Sequence, residues 1–171
     1  MIILGLDMSS TAIGYAVLSD GAIFDYGHED LRGDIAARCA QAATRVAELL
    51  DEHGPTLVVI ESPVARHAKA VIPQARVSGA VLGVLSSRLA LWQEVPPGVA
   101  KRVLAGCGTA SKAQMLEAAR CRLELVGDAY AYRGKWGLWH GGVCVLSEDE
   151  ADAIGVALAG AALRVVVMEA A

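Results

Sequence analysis

Phenylalanine occurs once in these 171 residues, at Phe24, and aromatic side chains make up only 5% of the chain. A core with so few rings has to be built from Val, Leu, Ile and Ala. An apolar content of 54% supplies enough of them to exclude a disordered chain. Uninterrupted apolar runs of membrane length are also missing. The best candidate, residues 71–92, carries Arg76 and Arg88, which are costly in lipid, so no membrane partner is expected. The first residues show neither the basic region nor the cleavage site of a secretory signal. Cys39, Cys107, Cys121 and Cys144 form no CxxC pair and no zinc-ligand spacing. They are expected to be reduced, mostly buried thiols in a cytoplasmic protein. The length suits one domain spanning residues 1–171.

Positive charge is in short supply overall, with a formal net charge of −4, which argues against nucleic acid as a partner. Its distribution reverses that argument. Residues 1–61 hold 3 basic and 10 acidic side chains, residues 62–147 hold 11 and 4, and residues 148–171 hold 1 and 5. A basic middle between acidic ends can meet phosphates locally, because the nearby field counts for more than the sum. Ordinary solvated charge gives the same pattern.

The apolar periodicity predicts strands at residues 2–6, 13–18 and 22–26. Ser19-Asp20-Gly21 forms the turn between the last two, which points to an antiparallel meander. A helix is predicted over 34–52, stopped by Gly54-Pro55. The unbroken apolar run 56–61 reads as a strand covered on both faces. A long helix over 69–89 tolerates Pro73 near its start. Ala75, Gly79 and Gly83 place a stripe of small residues along it, suited to the sheet or to a partner subunit. A strand at 91–95, short helices at 98–105 and 112–125, and a last helix from Ser147 to about 166 complete the pattern. Ser147 and Glu150 form a capping box at the start of that helix. Residues 127–146 break the pattern: Tyr130, Tyr132, Trp136 and Trp139 stand among five glycines, which reads as a long loop or hairpin.

Acids stand at element ends in three separate places. Asp7 follows the first strand, Glu61 ends the run 56–61, and Asp149 and Asp152 share one helix face three residues apart. If the two strands are neighbours, Asp7 and Glu61 lie side by side, and a helix packed across the sheet brings the other pair to them. Four converging carboxylates repel one another unless cations neutralise them, and hard divalent ions with oxygen ligands do so. Two such ions about 4 Å apart suit in-line attack on a phosphodiester. Taken alone, the Asp149/Asp152 pair could equally be a well-capped helix start.

Five segments, in order, resemble those of the RuvC-type Holliday junction resolvases of the ribonuclease H-like superfamily: ILGLDMSSTAIGYAVL, LVVIESP, PQARVSGAVLGVL, VPPGVAKRVLAGCGTASKAQM and SEDEADAIGVALA. The resemblance implies an α/β fold: a mixed five-stranded sheet, with strands 1–3 an antiparallel meander followed by parallel strands, flanked by helices. It implies that Asp7, Glu61, Asp149 and Asp152 hold two Mg2+ ions per active site, with Mn2+ as a substitute, and that Lys112 sits near the scissile phosphate. Lys101 and Arg76 match basic positions of the family. A homodimer joined through the stripe of Ala75, Gly79 and Gly83 would match the symmetry of a four-way junction and nick opposing strands in pairs. Two departures stand out. Residues 62–70 contain no aromatic wedge, so Arg66, His67 or Lys69 would contact DNA instead, and 127–146 is an insertion. Both suggest a divergent member, and a phage origin, with action in the host cytoplasm, is consistent with them. The insertion could stack on DNA, widen the dimer contact or close the core.

Rival readings remain at this stage. An actin- or hexokinase-like ATPase needs two lobes to clamp its nucleotide, and 171 residues supply one, so no nucleotide cofactor is expected. A related nuclease acting on RNA, RNA–DNA hybrid, or branched or flap DNA needs the same acids. A non-catalytic nucleic-acid-binding module would have no use for four carboxylates that repel phosphate.

Overall fold

The computed structural model describes residues 1–63, 68–132 and 134–169, and the side chains of 68–70 and 164–169 fall outside that description. The expected DNA contacts of Arg66 and Lys69, and the role of His67, therefore lie outside the described residues. The elements follow in order as β1 (Ile2–Met8), β2 (Ala12–Ser19), β3 (Ala22–Asp30), α1 (Ile35–His53), β4 (Leu57–Glu61), α2 (Ala68–Ser87), β5 (Trp92–Val95), α3 (Pro97–Ala105), α4 (Lys112–Leu123), β6 (Asp128–Tyr132), β7 (Lys135–His140), β8 (Val143–Ser147) and α5 (Glu148–Glu169).

Five strands form one sheet in the order β3-β2-β1-β4-β5. β1, β2 and β3 are the antiparallel meander that the turn chemistry predicts. Asp20 and Gly21 both take positive φ, 50° and 85°, which is the twist a two-residue hairpin needs. β4 joins β1 in parallel, and β5 joins β4 in parallel. The mixed five-stranded sheet is thus as the sequence led one to expect, with one adjustment at its centre. β1 runs on through Met8, so Asp7 lies inside the strand, opposite Gly14, and does not follow its end. β3 likewise extends to Asp30, beyond the apolar run that marks its start.

The two faces of the sheet separate by strand parity. Leu4, Leu6, Ile13, Val17, Val58 and Ile60 pack against Val46 and Leu49 of α1 and Val77, Val81 and Leu85 of α2. Ile3, Ala16, Leu18, Leu57 and Val59 face the opposite way, towards Ala153, Ile154, Val156 and Ala157 of α5. Asp7 and Glu61 have the parity of this second face.

Ser147 and Glu150 cap α5 as expected. The Glu150 N–H donates to Ser147 Oγ at 3.2 Å, and the Ser147 N–H donates to Glu150 Oε2 at 2.5 Å. Ser111 caps α4 in a second capping box, with Gln114.

The insertion is more ordered than a loop. β6, β7 and β8 form a separate three-stranded antiparallel sheet. Its Leu138 and Leu146 are fully buried and join Leu116 and Ala119 of α4 in the core on the α5 side. The cysteines are free, but Cys107, Cys121 and Cys144 are exposed and Cys39 is only partly covered, so the expected burial of the thiols does not hold. No helix of the described residues is long and apolar enough to cross a membrane.

Candidate active site

The site exists because α5 lies almost flush on the sheet. A Cβ on Gly5 of β1 would stand 2.5 Å from the backbone nitrogen of Ala157 and 2.7 Å from the carbonyl oxygen of Ala153. A Cβ on Gly14 of β2 would stand 2.1 Å from the carbonyl oxygen of Asp149, and one on Gly160 would meet Val59 of β4 at 2.2 Å. Only glycine permits approaches this close. They carry the first turn of α5 to the end of β1 where Asp7 projects from the same face.

The parallel register pairs Leu6 of β1 with Ile60 of β4, so Asp7 and Glu61 follow as the next neighbours along the two strands. Each acid is raised first by its own burial, and neighbouring acids add to the shift. Asp7 is held well above the ordinary carboxylate range by desolvation, then by the charges of Glu61, Asp152, Asp149 and Glu148. Desolvation, with the charge of Asp152, pushes Glu61 up to about 7, while Lys101 opposes the rise. Asp152 is raised by desolvation to about 6, against the pull of Lys101 and Lys112. Asp149 is also raised, first by desolvation and then by Glu148, while His28, Lys135 and Lys112 act against the rise. The four acids singled out from the sequence therefore share one electrostatic site.

Their chemistry fits hard divalent cations. All four donors are carboxylates, so the set is oxygen only, and a cation would offset the buried negative charge that raises each of them. Among the described residues no three ligating side chains have already closed to metal-holding geometry.

The basic residues divide. Lys112, the first residue of α4, is ion-paired with Glu148 at the start of α5. Lys101 of α3 donates to the Ala110 carbonyl at 3.1 Å and acts on both Glu61 and Asp152, so it belongs to this cleft. Arg76 stands exposed on the outer side of α2, away from the apolar face that packs on the sheet. Ala75, Gly79 and Gly83 are exposed as well, and nothing lies within 4 Å of a Cβ placed on either glycine. The stripe thus faces away from the sheet. Ser9 satisfies its own turn: its hydroxyl accepts from the N–H groups of Thr11 and Ala12 at 3.1 and 2.9 Å.

Two participants were not legible beforehand. Glu148 adds a fifth acid to the cluster, and its sequence signal was only its place beside Asp149. His28, exposed on β3, lies with Nδ1 3.1 Å from Glu150 Oε1 and 3.3 Å from Ser147 Oγ at the rim of the site. That contact spans more than a hundred residues and leaves no local trace.

A mixed sheet that delivers acids from neighbouring strands to one face, met there by an acidic helix start, defines a ribonuclease H-like, metal-dependent nuclease. A family model described as crossover junction endodeoxyribonuclease RuvC matches residues 3–128. The chain belongs to that family. A crossover junction endodeoxyribonuclease RuvC from Solidesulfovibrio magneticus is 31% identical over 121 residues, covering 67% of this chain and 72% of the relative. Among solved structures, Thermus thermophilus RuvC in complex with Holliday junction substrate superposes with a TM-score of 0.76 at 20% identity, over 98% of this chain and 96% of that one. The yeast mitochondrial Holliday junction resolvase gives a TM-score of 0.64 at 13% identity, covering 92% and 76%. The matched residues 3–128 stop short of Asp149 and Asp152. It is the seating of α5 on Gly5 and Gly14 that joins those two acids to Asp7 and Glu61.

Proposed function

We propose that this chain is an endonuclease that resolves four-way DNA junctions by paired nicks, with Asp7, Glu61, Asp149 and Asp152 holding two Mg2+ ions in each active site. The observation that carries the reading is the convergence of buried acids from β1, β4 and α5: beyond the effect of burial, Asp7 is raised by Glu61, Asp152 and Asp149, and Glu61 by Asp152. The ions, when bound, supply charge neutralisation and lower the barrier to attack by water on a phosphodiester, and Mn2+ serves the same chemistry.

The protein's own groups do the rest. The glycine contacts under α5 hold Asp149 and Asp152 against the strands, so the carboxylates are positioned before substrate arrives. Lys101 and Lys112 place two ammonium groups at the edge of the acids, where they attract a phosphate and offset the negative field. Arg76, Arg66 and Lys69 extend the basic contacts along the DNA.

The exposed stripe of Ala75, Gly79 and Gly83 is the surface proposed to join two copies about a two-fold axis. Close approach of small residues lets two helix backbones meet there, and two sites related by that axis match a symmetric junction.

The test is a substrate panel of labelled four-way junction, linear duplex, flap and RNA–DNA hybrid, each with Mg2+, Mn2+ or EDTA. Symmetric nicks confined to the junction support the reading. Preferential cutting of hybrid or flap would replace it with the related nuclease activity, and binding without any metal-dependent cutting would leave only a binding module.

A further inference from the structure

The insertion builds a cavity of about 410 Å³ directly beside the acids, with Tyr132, Trp136, Trp139, Lys135, His28 and Asp149 among its walls. Two of its rings, Tyr132 and Trp139, belong to one cluster with Tyr130, while Trp136 packs against the core. Tyr130 and Tyr132 sit two residues apart on β6 and so share a face; their strand partners on β7 are Gly137 and Lys135, and Trp139 has the same parity as those partners. The Trp139 indole packs within 5.8 Å of the Tyr130 ring and 5.2 Å of the Tyr132 ring, centroid to centroid. Gly137 makes room for it: a Cβ there would stand 3.1 Å from Trp139 Nε1. The other face of the same small sheet seals the core through Leu138. These three rings are therefore not needed to close the core, and Tyr130 and Tyr132 are 43% and 48% exposed.

We propose that this cavity receives one unstacked nucleobase from the DNA strand whose phosphate lies at the carboxylates, an inference that rests on the nuclease reading above. Asp149 and Glu148 line the cavity and also belong to the acidic cluster, so a base entering here is attached to the nucleotide at the cleft or to its neighbour. The volume lies in the range of small-molecule pockets and is too small for a base pair in its stack. Aromatic rings receive any base by stacking, because every base presents a π face. Lys135 and His28 place polar groups at the mouth. A second polar trough shares Lys135, Glu148 and Asp149 with this cavity and is lined further by Ser9, Thr11, Asp30 and Arg32. Residues 62–70 contain no aromatic side chain, whereas Tyr132, Trp136 and Trp139 of the insertion line the cavity together with Asp149 and Glu148.

The test places 2-aminopurine, one position at a time, within two nucleotides of the mapped cut in a four-way junction. Fluorescence is read on binding Asp7→Asn protein, which leaves the strand intact. The expected result is a change of about twofold or more at one position only, lost when Tyr132→Ala or Trp139→Ala is added and kept with Trp139→Phe. In the active protein, both alanine variants slow junction cleavage about tenfold while the junction Kd stays within about threefold. If Trp139→Ala disturbs the small sheet by circular dichroism, the exposed Tyr132→Ala decides. A flat signal at every position, or one that survives both alanine variants, overturns the base pocket and leaves the nuclease reading standing. So does a change of oligomeric state in Tyr132→Ala, which would assign the rings to a subunit contact. Failure of the wild-type chain to cut any junction with Mg2+ or Mn2+ overturns the nuclease reading, and the pocket with it.

Discussion

Gly14 and Asp149 meet backbone to backbone: a Cβ on the glycine would stand 2.1 Å from the carbonyl oxygen of the aspartate. This contact fixes how far the first turn of α5 descends onto the sheet. Gly14→Ala must therefore lift that turn or bend β2. The expected cost is about 1–3 kcal/mol of stability, as for other overpacked sites. Junction cleavage is expected to fall further than the stability loss explains, since the acids of α5 move away from Asp7. Thermal melting and single-turnover cleavage check this together. Full activity in Gly14→Ala would show that the seating of α5 is not what assembles the site.

The raised carboxylates make the metal-free protein sensitive to pH. Asp7, Glu61, Asp149 and Asp152 all keep their protons to higher pH when folded than when unfolded. The folded state then binds more protons than the unfolded state, so stability falls as pH rises. The fall begins within the ordinary carboxylate range, where the unfolded acids ionise, and continues through about 6 for Asp152 and about 7 for Glu61. In EDTA, the melting temperature should be lower at pH 8 than at pH 5.5. Mg2+ should raise it more at pH 8 than at pH 5.5, because the ions bind only the ionised form. A pH-independent melting temperature would mean that the four acids do not interact as described.

Lys112 and Glu148 form an ion pair whose lysine side chain is 53% exposed. Glu148 is only 18% exposed, so Lys112→Met leaves a largely covered acid unpaired and should lower the melting temperature slightly. Its cleavage rate should drop about ten- to a hundredfold, because the ammonium is placed to meet phosphate at the cleft. Equal losses in melting temperature and rate would reassign Lys112 to a purely structural role.

The stripe on α2 separates assembly from chemistry. Gly79 has nothing within 4 Å of its Cβ position, so Gly79→Leu is accommodated within one chain. In a homodimer joined there it pushes the helices apart. Light scattering should report a shift from dimer to monomer, with paired nicks replaced by single ones. A wild-type chain that is monomeric at tens of micromolar, with Gly79→Leu changing nothing, would remove the proposed interface.

Much of this was legible in the sequence because it is local. The Asp20-Gly21 turn, the capping box of Ser147 and Glu150, and the apolar strands that carry Asp7 and Glu61 are each set within a few residues. The acids themselves could be named for the same reason. What escaped depends on contacts between distant segments. Nothing near Gly5 or Gly14 signals that a helix lies on them, and no spacing links Lys112 to Glu148 or His28 to Glu150. The small sheet of β6, β7 and β8 escaped for a different reason. Its strands are short and punctuated by Gly134, Gly137, Gly141 and Gly142, so their alternation is hard to tell from a loop. Its packing against α4 is what makes it stable.

Calorimetric titration of Mn2+ into the protein at pH 8, paired with junction cleavage in the same buffer, bears most directly on the carboxylate site. Two sites per chain are expected for the wild type. At least one should be lost, together with cleavage, in each of Asp7→Asn, Glu61→Gln, Asp149→Asn and Asp152→Asn, while junction binding persists. Wild-type protein that binds no Mn2+, or that cuts the junction equally well in EDTA, would contradict the account.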